Sequence, residues 1–503
     1  MGKGIKKGFL TYLFIFIGLI IAAFAVCVVI MIVSPGKQIF GISYFNYNET
    51  RYVLEADSYN SKDAETSNGK TTFNGDVEMI EINHFVVNTD NMNVEIVKKS
   101  ADWRAVEKRL SVQLNLNLRG FVKGKNNNLN IYARFFEDTK TLELNINSPE
   151  TFINLGNLST ILIELPSNLS NSKTFEVNTT GGSVNLGGNG SSTNRPNVLT
   201  AAQIDISTTS GNVETSEYFN LSGASLNSCV KTTSGSLEFS RPIISNNFSF
   251  ETESGNATFT SETFILTNNF NLKADMSFVE INKINAKNLN LINTNGKIYA
   301  GNITGNVIFS EDSANCDIQV KNINGSILIG EKNKETISQT TSVKILESLN
   351  GEANIFTKGN IFINNIASGE TNIKADGGNV EIVEINATLN ISHKNAKITL
   401  GKLTDEDDNL LSCEANAKIN VIGLNSVVNL YFKNVIDSSR VENTNGKVFV
   451  KLTSAAKIDI TAKSVKINGE SEELADGSLQ HVYNSGENTL TIVNTNGAVE
   501  IEE

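Results

Sequence analysis

The chain has 503 residues, a formal net charge of −12 at pH 7 and 7% aromatic residues. No basic stripe interrupts this acidic balance, which argues against nucleic-acid binding, and the scarcity of large aromatic side chains argues against a deep ligand pocket. The four cysteines (Cys27, Cys229, Cys316 and Cys413) are too widely spaced to predict a disulfide framework or a zinc site, although one pair could be bridged.

The first predicted element is a transmembrane helix. The run Phe9–Val33 (FLTYLFIFIGLIIAAFAVCVVIMIV) contains no charged side chain. At ~1.5 Å per residue such a helix is roughly 37 Å long, which is enough to cross a hydrocarbon core of ~30 Å. Lys3, Lys6 and Lys7 precede the run. Because basic flanks stay cytoplasmic, the sequence predicts a cytoplasmic N-terminus and an extracytoplasmic remainder.

A cleaved signal peptide is the alternative interpretation of this run. Ala23-Phe24-Ala25 fits a small-x-small cleavage pattern, but the apolar run continues through Val26 to Val33. A cleavage region becomes polar, so an uncleaved anchor is favoured. Cys27 is then expected to be an inert thiol inside the helix.

The rest of the chain is predicted to contain three further segments. We expect a cytoplasmic N-terminus (residues 1–8), the transmembrane helix (9–33), a linker (34–74), an N-terminal β region that caps a solenoid (75–165), and the repeat solenoid itself (166–503). Asp102–Leu110 (DWRAVEKRL) is the only further candidate helix, with Asp102 able to cap it.

A repeated unit fills the last of these segments. A short polar run that ends in glycine precedes a strand in which apolar and polar residues alternate, as in Val380-Glu381-Ile382. Successive glycines are 20 to 29 positions apart, except at three longer gaps; the glycines are Gly182, Gly211, Gly235, Gly255, Gly296, Gly325, Gly351, Gly378, Gly446 and Gly497. This period is the signature of a solenoid. Because glycine tolerates a left-handed corner, positive φ is predicted at Gly296, Gly325 and Gly446.

The predicted fold class is therefore all-β, a single-stranded β-solenoid of stacked rungs with two or three short strands each, preceded by one transmembrane α-helix. A string of antiparallel sandwiches is the alternative, because Asn-Gly also forms hairpins. No proline occurs from Ile243 to Glu503. Stacked strands that pair on both sides disfavour proline, so this absence favours the solenoid.

Three segments carry a resemblance to a known family. They are Ile80–Ser100 (IEINHFVVNTDNMNVEIVKKS), Ile161–Leu186 with Pro166 before its first turn, and Leu490–Glu503 (LTIVNTNGAVEIEE). From about Gly75 to Glu503 the chain resembles the bacterial adhesin-like β-solenoid domain family of unknown function. The resemblance implies a β-solenoid at the cell envelope and no catalytic residues.

Residues that could carry chemistry are scattered. His84, His393 and His481 are isolated in sequence, and the acidic stretch Asp405–Asn409 lacks the glycine and the spaced carboxylates of a calcium loop. No catalytic, cofactor-binding or metal-ligating residues are therefore predicted, and no cofactor.

The predicted function is a non-enzymatic, membrane-anchored module for surface binding, envelope sensing or scaffolding, located in the cell membrane. Its expected partners are the membrane and either an envelope glycan or a surface protein. A carbohydrate-active β-helix enzyme of the lyase or hydrolase type is the alternative, because some β-solenoids cleave polysaccharides.

Overall fold

The computed structural model of the protein describes most of the chain. The described residues are 2–34, 37–55, 58–67, 70–78, 82–98, 111–124, 129–149, 151–156, 159–165, 173–187, 198–215, 218–221, 227–241, 243–260, 265–309, 315–331, 337, 339–402, 417–433, 438–452, 456–474, 477–483 and 487–502. The chain divides into two compact units, Met1–Ser216 and Glu217–Glu503. The candidate helix Asp102–Leu110, the acidic stretch Asp405–Asn409 and Cys413 lie outside the described residues.

Unit 1 begins with the one helix of the described chain, α1 (Gly2–Val33). The helix contains no proline, and its only charged side chains are Lys3, Lys6 and Lys7 near its N-terminal end. The Ser34 amide donates a hydrogen bond to the Ile30 carbonyl at its C-terminal end. The segment Thr11–Val33 is long and apolar enough to cross a membrane. Its large side chains, such as Tyr12 and Phe16, are mostly exposed.

Sixteen strands follow α1 in unit 1: β1 (Gln38–Ile39), β2 (Ile42–Glu55), β3 (Ser58–Ser67), β4 (Lys70–Glu78), β5 (His84–Thr89), β6 (Asn93–Lys98), β7 (Ser111–Lys123), β8 (Asn130–Phe136), β9 (Thr141–Asn147), β10 (Thr151–Asn154), β11 (Thr160–Leu165), β12 (Thr174–Thr179), β13 (Val184–Leu186), β14 (Val198–Ala201), β15 (Gln203–Thr208) and β16 (Val213–Thr215). The segment predicted as a linker, residues 34–74, thus contains strands. Tyr44 and Phe45 of β2 are buried, and this burial gives the segment its own apolar contacts.

Pairing in unit 1 changes from antiparallel to parallel along the chain. The long strand β2 pairs antiparallel with β7, and β7 pairs antiparallel with β11. From there β11, β6, β13 and β16 form a parallel stack. A second parallel stack runs through β9, β5, β12 and β15, and β8 covers its β9 end as an antiparallel partner. The antiparallel strands therefore cover the ends of two stacks of parallel rungs.

Unit 2 contains the remaining strands: β17 (Tyr218–Leu221), β18 (Asn227–Thr232), β19 (Leu237–Phe239), β20 (Ile243–Ser245), β21 (Asn247–Thr252), β22 (Ala257–Phe259), β23 (Ile265–Asp275), β24 (Phe278–Thr294), β25 (Lys297–Phe309), β26 (Asp317–Asn324), β27 (Ile327–Ile329), β28 (Ser342–Asn350), β29 (Ala353–Thr357), β30 (Ile361–Ser368), β31 (Thr371–Asp376), β32 (Val380–Ile385), β33 (Leu389–Lys394), β34 (Lys397–Gly401), β35 (Ile419–Leu424), β36 (Val427–Phe432), β37 (Ser439–Asn443), β38 (Val448–Leu452), β39 (Ala456–Ile467), β40 (Glu470–Ser471), β41 (Ser478–Tyr483) and β42 (Thr489–Glu502).

Three stacks of parallel strands form the faces of unit 2. The first face consists of β19, β22, the N-terminal parts of β24, β25, β26, β28, β30 and β32, then β34, β36, β38 and the end of β42. The second face consists of β17, β20, the start of β23, and later parts of β24, β25, β26, β28, β30 and β32. The third face consists of β18, β21, the ends of β23, β24 and β25, then β27, β29, β31, β33, β35, β37 and the start of β42.

This arrangement confirms the predicted fold class, an all-β solenoid that follows one apolar helix, with two or three strands in each rung. The sandwich alternative is wrong. Asn295-Gly296 joins β24 to β25, and these strands pair in parallel, with Phe278 opposite Lys297. At the C-terminal end, β39 pairs in parallel with β42 and antiparallel with β40 and β41, and these pairings end the stack.

The core of unit 2 is built from residues that repeat at the same place in successive rungs. Strand alternation turns every second side chain inward, so parallel register stacks like upon like. One buried column on the first face contains Val279, Ile298, Ile318, Val343, Ile361, Val380, Ile398, Val428, Val448 and Val499. Each rung thereby buries its apolar edge only against its neighbours.

Positive φ was predicted at three corner glycines, and the structure confirms it at two of them. Gly325 (φ +141°) and Gly446 (φ +113°) lie in the left-handed region. The prediction for Gly296 was wrong, because the preceding Asn295 takes the left-handed conformation instead, at φ +56°. Asparagine supports this conformation through its short polar side chain.

The glycine turns also fall at two different corners, which sequence alone did not distinguish. Gly296, Gly378 and Gly446 connect the third face to the first, whereas Gly325 and Gly351 connect the second face to the third. At the second corner a Cβ on each glycine would overlap the backbone carbonyl of the rung beneath it, in a column formed by Gly305, Gly325, Gly351 and Gly369. Glycine occurs at both corners, so both produce the same sequence signal, although Asn395-Ala396 and Asn425-Ser426 form the first corner in two rungs.

Candidate functional site: the apolar helix and an open groove

The C-terminal turns of α1 pack against the β-structure of unit 1. Met31, Tyr44 and Phe121 form a buried cluster, and the partly buried Val28, Ile39 and Ile42 pack against it. The Tyr44 and Phe121 rings lie 5.2 Å apart between centroids. The helix end is therefore fixed to β1, β2 and β7, while most of α1 presents its apolar side chains outward.

An open groove crosses the first face of unit 2. It has a volume of about 390 Å³ and extends over β25, β26, β28, β30 and β32. One column of outward-facing residues forms its floor, each one rung above the last: Tyr299, Gln319, Lys344, Phe362 and Glu381. Asp317, Asn360 and Asn379 add polar groups along its side.

The groove combines aromatic rings with groups that donate and accept hydrogen bonds. Tyr299 packs against Phe278 with ring centroids 5.4 Å apart, and the Lys344 ammonium lies 5.6 Å from the centroid of Phe362. Asp317 and Glu381 contribute carboxylates of opposite charge to Lys344. Such a surface can bind an extended, uncharged ligand through ring contacts and hydrogen bonds.

A second shallow depression, of about 310 Å³, lies on the third face and is lined by amides. Asn269 donates to the Asn247 side-chain oxygen (2.7 Å), and Asn288 donates to the Asn269 side-chain oxygen (2.9 Å). A similar ladder runs from Asn372 through Asn390 to Asn420. Because these amides bind each other between rungs, they stabilise the stack of parallel strands.

The three histidines occupy different strands. His84 lies on β5, where its Nε2 is 3.3 Å from a carboxylate oxygen of Glu176 and both side chains are partly exposed. His481 lies on β41, opposite Ile458. His393 lies on β33 and is buried. Among the residues that the structure describes, no group of three or more His, Cys, Asp and Glu side chains is arranged to hold a metal ion.

His393 caps the corner between the third and the first face. Its Nε2 lies 2.8 Å from the Gly378 carbonyl oxygen, and its Nδ1 lies 2.9 Å from Ser426 Oγ. Since a carbonyl only accepts, Nε2 carries the proton of the neutral ring. Asn443 and Asn494 occupy the equivalent place in later rungs, and each amide donates to a backbone carbonyl of the preceding corner. Burial lowers the pKa of His393, although the Gly378 hydrogen bond and the Asp376 charge oppose this shift.

We expect His393 to make the stability of its rungs depend on pH. The folded pKa lies below the ordinary value of 6.5. The unfolded chain therefore binds more protons as the pH falls below about 6.5, and stability decreases until the folded pKa is passed. Amide hydrogen exchange of β33 and β35 should accelerate between pH 7.5 and pH 5 beyond the intrinsic change.

The matched variant is His393→Asn, because asparagine fills this corner in the rungs of Asn443 and Asn494. Its exchange rates, corrected for intrinsic pH effects, should lose that dependence. Equal pH dependence in the two proteins would refute the role of His393.

The cysteines of the described chain are all reduced: Cys27, Cys229 and Cys316. Cys316 is buried, and burial together with the Asp317 charge raises its pKa to about 12. A thiol with this pKa stays protonated at neutral pH and is a poor nucleophile. Cys316 is therefore a buried, unreactive thiol of the β-core.

Sequence analysis missed the groove. Tyr299 and Phe362 each lie at an outward position of an alternating strand, where an isolated aromatic residue gives no signal. Only the rung register places them in one column. A sequence alignment of rungs by their inward residues would have found the pair.

These features define a β-solenoid protein with an N-terminal apolar helix of membrane-spanning length. No family model matches the chain, and no curated protein matches it. A solved structure described as a "putative cell adhesion protein" from Clostridium sporogenes is similar, with 10% identity and a TM-score of 0.14, over 85% of this chain and 95% of that chain. At this TM-score the similarity carries no functional argument.

Proposed function

We propose that this protein is a membrane-anchored, non-enzymatic surface-binding module. In this proposal residues 1–8 are cytoplasmic, residues 9–33 span the membrane, and the β-structure from residue 34 onward is extracytoplasmic, with residues 75–165 capping the solenoid of residues 166–503. The observation that carries the proposal is a span-length helix with exposed apolar side chains, in a chain whose solenoid presents an open groove.

The helix geometry supports an anchor. α1 continues without a break through Ala23-Phe24-Ala25, where a signal peptide would be cleaved. Only a helix satisfies its own backbone polar groups in hydrocarbon. The lysines Lys3, Lys6 and Lys7 support a cytoplasmic N-terminus by the positive-inside rule.

The groove supports an envelope glycan as the ligand. Sugar rings present apolar C–H faces and hydroxyl edges, which match the rings of Tyr299 and Phe362 and the polar groups of Gln319, Asn360 and Asn379. Because the groove crosses several rungs, it fits an extended chain better than a single small molecule. An open groove of this kind suits retention of a polymer at the surface.

Intact spheroplasts that express the full chain should bind fluorescent envelope glycans, and external protease should abolish that binding. Tyr299→Ala and Phe362→Ala should each weaken binding by roughly 2- to 12-fold, as expected for the loss of an aromatic contact of about 0.5–1.5 kcal/mol. Tyr431→Ala is the matched control, because Tyr431 pairs with Phe449 on the same face in a later rung, outside the groove.

The same samples distinguish the alternatives. Release of shortened glycan products would support the carbohydrate-active enzyme and defeat the non-enzymatic module. Binding that is unchanged in both groove variants, or binding only to a surface protein, would reject the glycan groove.

A further inference from the structure

The hairpin that follows α1 has an unusual tip. Phe40 and Gly41 form the two-residue turn between β1 and β2, with Ile39 paired opposite Ile42. Both turn residues have positive φ, +52° for Phe40 and +76° for Gly41. Positive φ at both positions is typical of the type I′ turn, which favours Asn-Gly or Gly-Gly. The Phe40 side chain is 91% exposed.

A second hairpin of the same chain shows what this turn ordinarily uses. Asn468 and Gly469 join β39 to β40 with φ values of +49° and +85°, and Ile467 lies opposite Glu470. Asparagine tolerates the left-handed conformation, whereas a bulky residue such as phenylalanine is strained there. In water Phe40 therefore carries two free-energy costs: its backbone is strained, and its apolar ring is exposed to solvent.

The position of the hairpin relative to α1 supplies an apolar environment. Ile39 and Ile42, which flank the tip, pack against the same buried cluster as Val28 and Met31 of α1. Val28 lies five residues before the helix end at Val33, which corresponds to roughly 8 Å along the axis. The hairpin thus runs beside the last turns of the helix, at the depth where a membrane-spanning α1 would leave the hydrocarbon.

We propose that the Phe40-Gly41 hairpin tip inserts into the membrane–water interface of the extracytoplasmic leaflet. This inference rests on the proposed function, in which α1 spans the bilayer. The lipid interface covers the Phe40 ring, and aromatic side chains of membrane proteins concentrate at this depth. A helix together with a hairpin gives the domain two points of contact with the bilayer. These two contacts limit how far unit 1 can tilt from the membrane.

The test uses the full chain reconstituted in phosphatidylcholine vesicles, with lipids brominated on their acyl chains as the quencher. In Phe40→Trp the added tryptophan reports on the hairpin tip, and the native Trp103 contributes the background, which is subtracted with the unmutated chain. Asn468→Trp is the matched control, because it places tryptophan on the same turn type at the other hairpin. Resistance of each protein to alkaline carbonate extraction reports separately on the anchor.

The Phe40→Trp difference emission should be blue-shifted and should lose most of its intensity in brominated vesicles, while that of Asn468→Trp should change little. If the protein resists extraction but the two tryptophans are quenched equally weakly, the hairpin inference is wrong and the anchor stands. If carbonate extracts the unmutated chain, the anchor is wrong and the hairpin inference with it.

Discussion

Replacing Gly325 by alanine is expected to destabilise the neighbouring rungs by roughly 2–6 kcal/mol, which combines backbone strain with overpacking. Gly325 has φ +141°, and a Cβ there would overlap the carbonyl oxygen of Gly305 in the rung beneath. Since that oxygen belongs to backbone, the two rungs must separate to make room. Amide hydrogen exchange should accelerate in β27 and β29 and stay unchanged in β42, because each rung of a solenoid contacts only its neighbours.

Gly377→Ala is the matched control for this substitution. Gly377 also has positive φ, +99°, but a Cβ at this position would meet no atom within 4 Å. Alanine there should cost only the conformational strain of about 1–2 kcal/mol. Similar losses of protection in the two variants would show that conformation alone matters and would reject the role of the close approach.

Replacing Phe259 by alanine should cost about 3–5 kcal/mol, as is usual for a large aromatic residue deleted from a packed core. Phe259 is buried and stacks on Phe239 at 5.6 Å between ring centroids, and its ring also meets the edge of Phe270 at 5.6 Å. The first rungs of unit 2 therefore depend on the packing of this group of rings. Urea unfolding monitored by circular dichroism should show the loss as a lower midpoint.

Phe278→Ala is the control for the core substitution, because Phe278 is 38% exposed and its ring packs against Tyr299 on the outer surface. Its effect should be well below that of Phe259→Ala. A Phe259→Ala protein that unfolds at the same urea concentration as Phe278→Ala would contradict the packing described for unit 2.

The strength and the limit of prediction from sequence are both visible at the glycine corners. The interval between glycines and the alternation after them predicted a solenoid, because every rung of a stacked coil turns its backbone at the same corner and therefore repeats the same turn residues. From positive φ alone, asparagine would be expected to be tolerated better than valine at Gly325, since asparagine adopts this conformation more readily. The structure changes that expectation. Alanine, asparagine and valine share the Cβ that would overlap the Gly305 carbonyl, so all three should be harmful.

The groove and the hairpin show why functional surfaces were harder to predict than the fold. Inward residues such as Ile298 and Ile318 follow a pattern along the chain, because burial constrains every rung in the same way. Outward residues such as Tyr299 and Phe362 have no such constraint, and their proximity depends on rung lengths that vary through insertions between strands. Phe40 likewise gave no signal, because nothing in the sequence showed that it occupies the tip of a tight turn beside the end of α1.

The sequence by itself determined that this chain has one apolar helix of membrane-spanning length and a repetitive all-β remainder. Both conclusions follow from local rules, since hydrophobic length defines a possible span and period-two alternation with regular turns defines stacked strands. Tertiary structure alone decided which glycines face a neighbouring backbone, which aromatic residues share one face, and where the hairpin lies beside the helix. Those features depend on contacts between residues that are distant in the chain, and register, not composition, brings them together.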